Sequence, residues 1–255
     1  MTTGSRPTGS RPSGRLGVGI VGAGHVGPIL GAALAAAGHA IVGISAVSDR
    51  SRDRADAILP GAPILTVQEI VERSELVLLA VPDDQLEDLV AGLAATKAWQ
   101  PGQLVVHTSP VHGLGVLDPA RAAGGIPLAI HPALTFTGTT IDLVRLRDSY
   151  CAVTAPGPVL PIGQALVVEM GAEPIVVDDA DRVRYAEAVE TATTFSSAIV
   201  SQSVGILREL GVPDPGRVIA PLVRSAMDRA LGVADTSVGP GTIEVASFDD
   251  DVPPL

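Results

Sequence analysis

Apolar residues in this chain follow two rhythms. Up to about residue 178, short unbroken apolar runs alternate with stretches in which apolar positions recur every three or four residues; beyond it only the second rhythm continues. The unbroken runs are LGVGIV (Leu16–Val21), AIVGIS (Ala40–Ser45), ELVLLAV (Glu75–Val81), QLVVHTS (Gln103–Ser109), IPLAIHPALTFTG (Ile126–Gly138), SYCAVTA (Ser149–Ala155) and EPIVVD (Glu173–Asp178). Runs of this length and purity predict strands buried on both faces of an open parallel sheet. Helical signals fill the gaps: PILGAALAAAG, with Pro28 in a first turn and Gly38 closing the end; PDDQLEDLVAGL, where Pro82 stops a strand and Asp83 or Asp84 suits a cap; and a helix from about Ile162 to Met170. From Ala180 to Leu210, Val183, Ala186, Val189, Ala192, Phe195 and Ile199 recur at three or four, predicting a long helix whose stripe is packing surface. It ends at Gly211, with Pro213 and Pro215 beyond, and another helix runs from about Pro215 to Leu231. The pattern predicts an α/β chain, a doubly wound sheet followed by a smaller all-α domain.

The first gap carries more than packing. GAGHVG places Gly22, Gly24 and Gly27 in the GxGxxG spacing between a strand and a helix, with a second strand directly after. In that context Gly22 permits a tight turn, Gly24 lets backbone approach a pyrophosphate, and Gly27 lets the helix pack close to the strand. Gly22, Ala23, Gly24, His25, Val26 and Gly27 are therefore candidate dinucleotide contacts, joined by Val81, Pro82 and Thr108 at the following strand ends. An NAD site places Asp or Glu about twenty residues past the motif, where this chain has Ser45. AVSDRSRDR follows, and its Ser48, Arg50, Ser51, Arg52 and Arg54 suit a 2′-phosphate, which favours NADP(H).

Composition narrows the partners. With 255 residues, 46% hydrophobic, the chain can bury a sizeable core, and a net charge of −11 with Lys97 as the only lysine argues against a basic face for nucleic acid or anionic lipid. A small molecule is the expected partner. The single Cys151 excludes an internal disulfide and suits a reducing, cytoplasmic compartment; without CxxC or paired Cys and His, no metal site is expected. No segment is long, uncharged and glycine-poor enough to span a bilayer. The repeat TGSRP at Thr3–Pro7 and Thr8–Pro12 predicts a disordered basic tail over residues 1–15. Arg6, Arg11 and Arg15 before an apolar run imitate a secretory signal, but Gly17, Gly19, Gly22, Gly24 and Gly27 would interrupt its core.

LGVGIVGAGHVG, LVLLAVPDDQL, QLVVHTSPVHGL, LAIHPALTFTGT and GRVIAPLVRSAMDRAL, spread over about Leu16 to Gly239, resemble the Rossmann-like oxidoreductases with a helical companion domain of unknown function, within the 6-phosphogluconate dehydrogenase-like superfamily. Some members are short-type ketopantoate reductases. The resemblance implies NADP(H)-dependent reduction of a small 2-keto acid, 2-dehydropantoate in pantothenate biosynthesis being one, and a homodimer paired through the helical domain. The change of rhythm after Asp178 and the composition of the ending divide the chain into a dinucleotide-binding domain over 16–178, a helical domain over 179–238 and a flexible tail over 239–255. Three positions depart from the family pattern: Thr194 and Phe195 stand where an Asn and an aromatic or His are expected, Pro110 replaces a glycine, and the helical domain turns into TIEVASFDDDVPPL after Gly239 where most relatives continue.

Reducing a ketone requires a proton for the developing alkoxide. Many members of the superfamily use a lysine of the helical domain, and this chain has none there. His131, in the HP turn at a strand end, is the first candidate acid, because imidazole titrates near neutrality. His107 is the second, with Ser109 and Thr108 placed to orient nicotinamide or substrate oxygen. Tyr185 and Arg184 are candidate carboxylate contacts, and His25, His39 and His112 read as non-catalytic. Two other functions stay open: an NADPH-binding protein without turnover, and a superfamily dehydrogenase acting on prephenate or pyrroline-carboxylate.

Overall fold

A computed structural model describes residues 15–236. The two expected tails lie outside that range except for Arg15, which pairs with Glu169 at 3.3 Å and so belongs with the folded chain. The elements run β1 (Gly17–Val21), α1 (Gly27–Ala36), β2 (Ala40–Ser45), α2 (Asp49–Ile58), α3 (Val67–Arg73), β3 (Leu76–Leu79), α4 (Asp83–Ala95), β4 (Leu104–His107), α5 (Asp118–Ala122), β5 (Ile126–Pro132), α6 (Ile141–Arg147), β6 (Tyr150–Thr154), α7 (Leu160–Glu169), β7 (Glu173–Val176), α8 (Arg182–Glu209) and α9 (Pro215–Thr236). Among the described residues the strands form one seven-stranded sheet in the order β2-β1-β3-β4-β5-β6-β7, the Rossmann-like α/β architecture that the alternating rhythm predicts.

Side-chain alternation explains why the strands read as unbroken apolar runs. Val18, Ile20, Leu76, Leu78, Leu104 and Val106 enter the core shared with α1 and α7, whereas Val21, Val77, Leu79 and Val105 enter the opposite core under α3 and α4. Pairing is parallel from β2 to β5, but β6 runs antiparallel to β5, with Ala129 opposite Thr154 and Pro132 opposite Cys151. The expected open parallel sheet is mostly parallel, with this one reversal. A seven-residue strand spans about 23 Å, and seven-residue α6 rises only about 10 Å, so the chain leaving β5 re-enters the sheet from the same end.

The chain divides into two compact units, one up to Thr193 and one from Thr194. The first turns of α8 thus belong with the sheet, fastened there by Arg182. This side chain is 1% exposed. Its Nε donates to Thr154 Oγ1 (2.7 Å), Nη2 to the carbonyls of Ala129 (2.9 Å) and Ala152 (3.2 Å), and Nη1 to that of Ser109 (3.4 Å), so one guanidinium joins β5, β6 and the end of β4 to α8. Burial lowers its pKa to about 10, leaving it charged at neutral pH. The stripe expected to pack along α8 is mostly left uncovered among the described residues: Ala186 is buried, but Val183, Phe195 and Ile199 are exposed.

Arg182→Met removes every donor from those four acceptors. It should cost about 3 kcal/mol and lower Tm by roughly 6–12 °C, read by calorimetry. A Tm equal to that of the unmodified protein would show that the buried guanidinium fastens nothing.

Candidate functional site

The chain turns from β1 to α1 at the point where strand order reverses, β2 lying on one side of β1 and β3 on the other. Open α/β sheets bind ligands beyond the carboxyl ends of strands at such a point. Gly22 makes the turn with φ +107°, a conformation that side-chain-bearing residues avoid, and a Cβ there would also collide with the Ala80 carbonyl at the end of β3. Its N–H donates to Ser45 Oγ at 2.9 Å, tying the ends of β1 and β2. Gly27 packs its backbone on the Gly22 carbonyl. Gly24 differs from both: its φ is ordinary and a Cβ would meet nothing, so no contact within the protein requires glycine there.

Gly24 lines a hollow of about 630 Å³, within the usual range of small-molecule sites. Of the residues expected at a dinucleotide, Gly22, Ala23, Gly24, Ser45, Ser48, Val81 and Pro82 line it together. His25, Val26, Gly27, Arg50 and Thr108 do not. Val26 and Gly27 begin α1, whose first turn has neither a side-chain cap nor an acidic residue. His25 lies under Gly138 of the β5–α6 loop, and Thr108 donates its N–H to Leu79. Arg50 is exposed on α2 outside the hollow. One helical turn later, Arg54 takes the position expected for Arg50, lining the hollow and donating Nη1 to the Ala23 carbonyl at 3.0 Å. Ser48 and Ser51 cap α2 reciprocally, so both hydroxyls stand at the hollow's rim on an amide-rich helix end. The first carboxylate past Ser45 is Asp49, which pairs with Arg52.

A second polar cluster sits where β4, β5 and α8 meet. His107 is fully buried; its Nε2 lies 3.2 Å from the Gly113 carbonyl and its Nδ1 has no partner. Burial, then the Arg182 charge, lowers its pKa to about 3. His131 is lowered to about 4 by the same two causes, and its Nδ1 is 2.8 Å from the Tyr185 hydroxyl. Neither histidine is an imidazolium at neutral pH, which corrects the expectation that His131 or His107, titrating near neutrality, stands ready there as a charged acid. Ser109 is also corrected: its Oγ accepts from the N–H groups of Val111 and His112 and its carbonyl from Arg182, so it shapes a turn and is 5% exposed. Tyr185 was foreseen only as a carboxylate contact, and the HP turn gave no sign that a helix 54 residues later supplies its partner.

The fold and the glycine turn define a nucleotide-binding type of α/β protein. The chain belongs to the Rossmann-like domain family, whose model matches residues 1–132, and residues 149–242 match a domain of unknown function (DUF2520). No curated protein matches in sequence. Among solved structures, a candidate NADP oxidoreductase from Bacteroides fragilis superposes with TM-score 0.71 at 17% identity, over 89% of this chain and 85% of that one. A Mycobacterium tuberculosis 3-hydroxyisobutyrate dehydrogenase, solved with L-serine, gives 0.59 at 16% over 81% and 70%. A pyrroline-5-carboxylate reductase from Coxiella burnetii gives 0.60 at 12% over 88% and 81%. At these identities the likeness is one of fold. Among the described residues, no helix is long and apolar enough to cross a membrane and no His, Cys, Asp and Glu side chains cluster as a metal site.

The two glycines should separate in stability. Gly22→Ala strains the turn and strikes Ala80, costing about 2 kcal/mol or more, while Gly24→Ala stays within about 0.5 kcal/mol of the unmodified protein; equal Tm losses in the two variants would contradict this geometry.

The histidines set a pH dependence. Folded pKa values of about 3 and 4 lie below the ordinary 6.5, so between pH 6.5 and 4 the unfolded chain binds protons that the folded chain refuses. Stability therefore falls as pH drops through that window, and His107→Phe should flatten the fall. A urea midpoint unchanged between pH 7 and 5 would mean these imidazoles are not held neutral.

Proposed function

We propose that this protein is an NADP(H)-dependent oxidoreductase that reduces a small 2-keto acid. The observation that carries the reading is Gly24, a glycine with ordinary φ and empty space where its Cβ would stand, facing the hollow at the sheet's switch point. Space kept free in that way suits a pyrophosphate laid against the turn and the uncapped first turn of α1. A reduced nicotinamide held there supplies a hydride to an electrophilic carbon. The protein's own residues do the rest. Gly22, Ala23 and Gly24 bring backbone to the phosphates, Val81 and Pro82 wall the site beside β3, and Ser48, Ser51 and Arg54 stand where a 2′-phosphate would be read. With Ser45 engaged by Gly22 and no carboxylate at the end of β2, the ribose of NAD lacks its usual acceptor.

The substrate reading rests on a free cation. Arg184 and Tyr185 line a groove of about 490 Å³ beside α8, and the Arg184 side chain makes no ion pair among the described residues, although Asp178 and Asp181 share the groove. A carboxylate-bearing substrate, 2-dehydropantoate included, would find a partner there. The neutral state of His131 and His107 and the lack of a lysine beyond Lys97 favour a second reading, an NADPH-binding protein without turnover. The cytoplasm, a reducing compartment, suits the buried free thiol of Cys151. For the quaternary state we propose a homodimer through the helical region, where Phe195, Ile199 and Ile206 of α8, with Leu210 just past its end, leave an exposed apolar stripe.

NADPH titrated by fluorescence should bind at least tenfold more tightly than NADH, and Arg54→Ala should narrow the gap. Gly24→Val should weaken both without lowering Tm, and NADPH should be oxidised by at least one member of a 2-keto acid panel. Equal affinities would remove the preference for the phosphorylated cofactor; tight NADPH binding without oxidation of any substrate offered would leave the binding protein. Sedimentation should give twice the 25.9 kDa chain mass, and a monomer at micromolar concentration would exclude the dimer.

A further inference from the structure

With neither histidine charged at neutral pH, the end of β5 still holds a phenol whose proton can be transferred. The Tyr185 hydroxyl lies 2.8 Å from His131 Nδ1, and the two rings meet edge to face with centroids 5.6 Å apart at 75°. The Arg182 guanidinium carbon stands 5.9 Å from the centre of the Tyr185 ring, fixed by its four hydrogen bonds to the sheet. Tyr185 also borders the open groove that Arg184 lines, so the phenol stands between a buried positioning pair and a space that a small molecule can enter. Pairing with a histidine over a buried cation exceeds what a residue kept only for packing requires.

We infer that Tyr185 is the catalytic proton donor of this protein, with His131 and Arg182 as the residues that position its hydroxyl. The inference rests on the oxidoreductase reading above and names the acid that reading lacks. As the substrate's carbonyl carbon gains a hydride from the reduced nicotinamide, the C=O π pair moves onto oxygen, and that oxygen takes the proton from Tyr185 Oη. The phenol O–H bond breaks and its electron pair stays on Oη as phenolate. His131 in its Nδ1–H tautomer donates to that oxygen and leaves the phenol's own proton free to face the substrate. The Arg182 charge offsets the phenolate until water restores the proton. Burial raises the phenol's pKa, which keeps it protonated across the neutral range, while Arg182 acts in the opposite direction and Cys151 adds to the rise.

The chain has two tyrosines, Tyr150 and Tyr185, so Tyr150→Phe leaves Tyr185 as the only phenol. Ultraviolet titration of that variant should show a phenolate midpoint above the ordinary value of about 10, and adding His131→Ala should move it. In kinetics, Tyr185→Phe should lower kcat on the order of a hundredfold or more for any 2-keto acid that the unmodified protein reduces, with NADPH affinity unchanged, Tm lowered by only about 2–4 °C for the hydrogen bond lost to His131, and Tyr150→Phe silent. Undiminished kcat in Tyr185→Phe, or a phenol midpoint at the ordinary value that His131→Ala does not move, overturns Tyr185 as donor and leaves the oxidoreductase reading standing. An unmodified protein that binds no NADPH, or binds it and reduces no keto acid or imine offered, removes that reading and the donor together.

Discussion

A buried guanidinium held by neutral oxygens governs the carboxyl-terminal half of this sheet. Arg182 carries its charge into a 1% exposed position, and oxygens from β5, β6 and the end of β4 take the place of water around it. Such a charge is tolerated when hydrogen bonds surround it, and here those bonds lie on three segments distant in sequence. The consequences spread outward. The first turn of α8 is fixed to the sheet, Tyr185 follows three residues later on the same helical face and reaches His131, and the nearby positive charge, added to burial, keeps His107 and His131 neutral. One side chain therefore fastens the first turns of α8 and adds to the burial that keeps the imidazoles at this edge neutral.

The other half of the sheet is organised by close backbone approach. At the β1–α1 turn, Gly22 lies against Ala80 and Gly27 against Gly22, which draws the ends of β1, β3 and α1 together and leaves the hollow beside Gly24. The two polar regions share the carboxyl edge of one sheet. β1 and β5 are three strand spacings apart, about 14 Å. A ligand anchored by its phosphates at the glycine turn and extended along that edge would run toward His131 and Tyr185.

How far the sequence discloses this depends on the range of each interaction. GAGHVG between two apolar runs is local information, and the turn and the hollow beside it follow from it. The capping box Thr66-Val67-Gln68-Glu69 was equally local and announces α3, yet a short amphipathic helix beside louder strand signals is easy to pass over. The reversal of β6 depends on the length of α6, a boundary that patterning resolves poorly. Choosing Arg54 over Arg50 turns on which face of α2 meets Ala23, which no spacing within SDRSRDR reveals. The pairing of His131 with Tyr185 and the burial of Arg182 are products of tertiary contact alone. Imidazoles read as acids from their ordinary pKa lose that role once desolvation and a neighbouring cation are known.

The claim on which the rest of the account depends is that the hollow beside Gly24 seats a phosphorylated dinucleotide. A crystal structure of the protein grown with NADP+ tests it most directly. The pyrophosphate is expected against Gly24 and the first amides of α1, with the 2′-phosphate beside Ser48, Ser51 and Arg54. Dinucleotide bound elsewhere on the chain, or a hollow still empty at saturating NADP+, would contradict it.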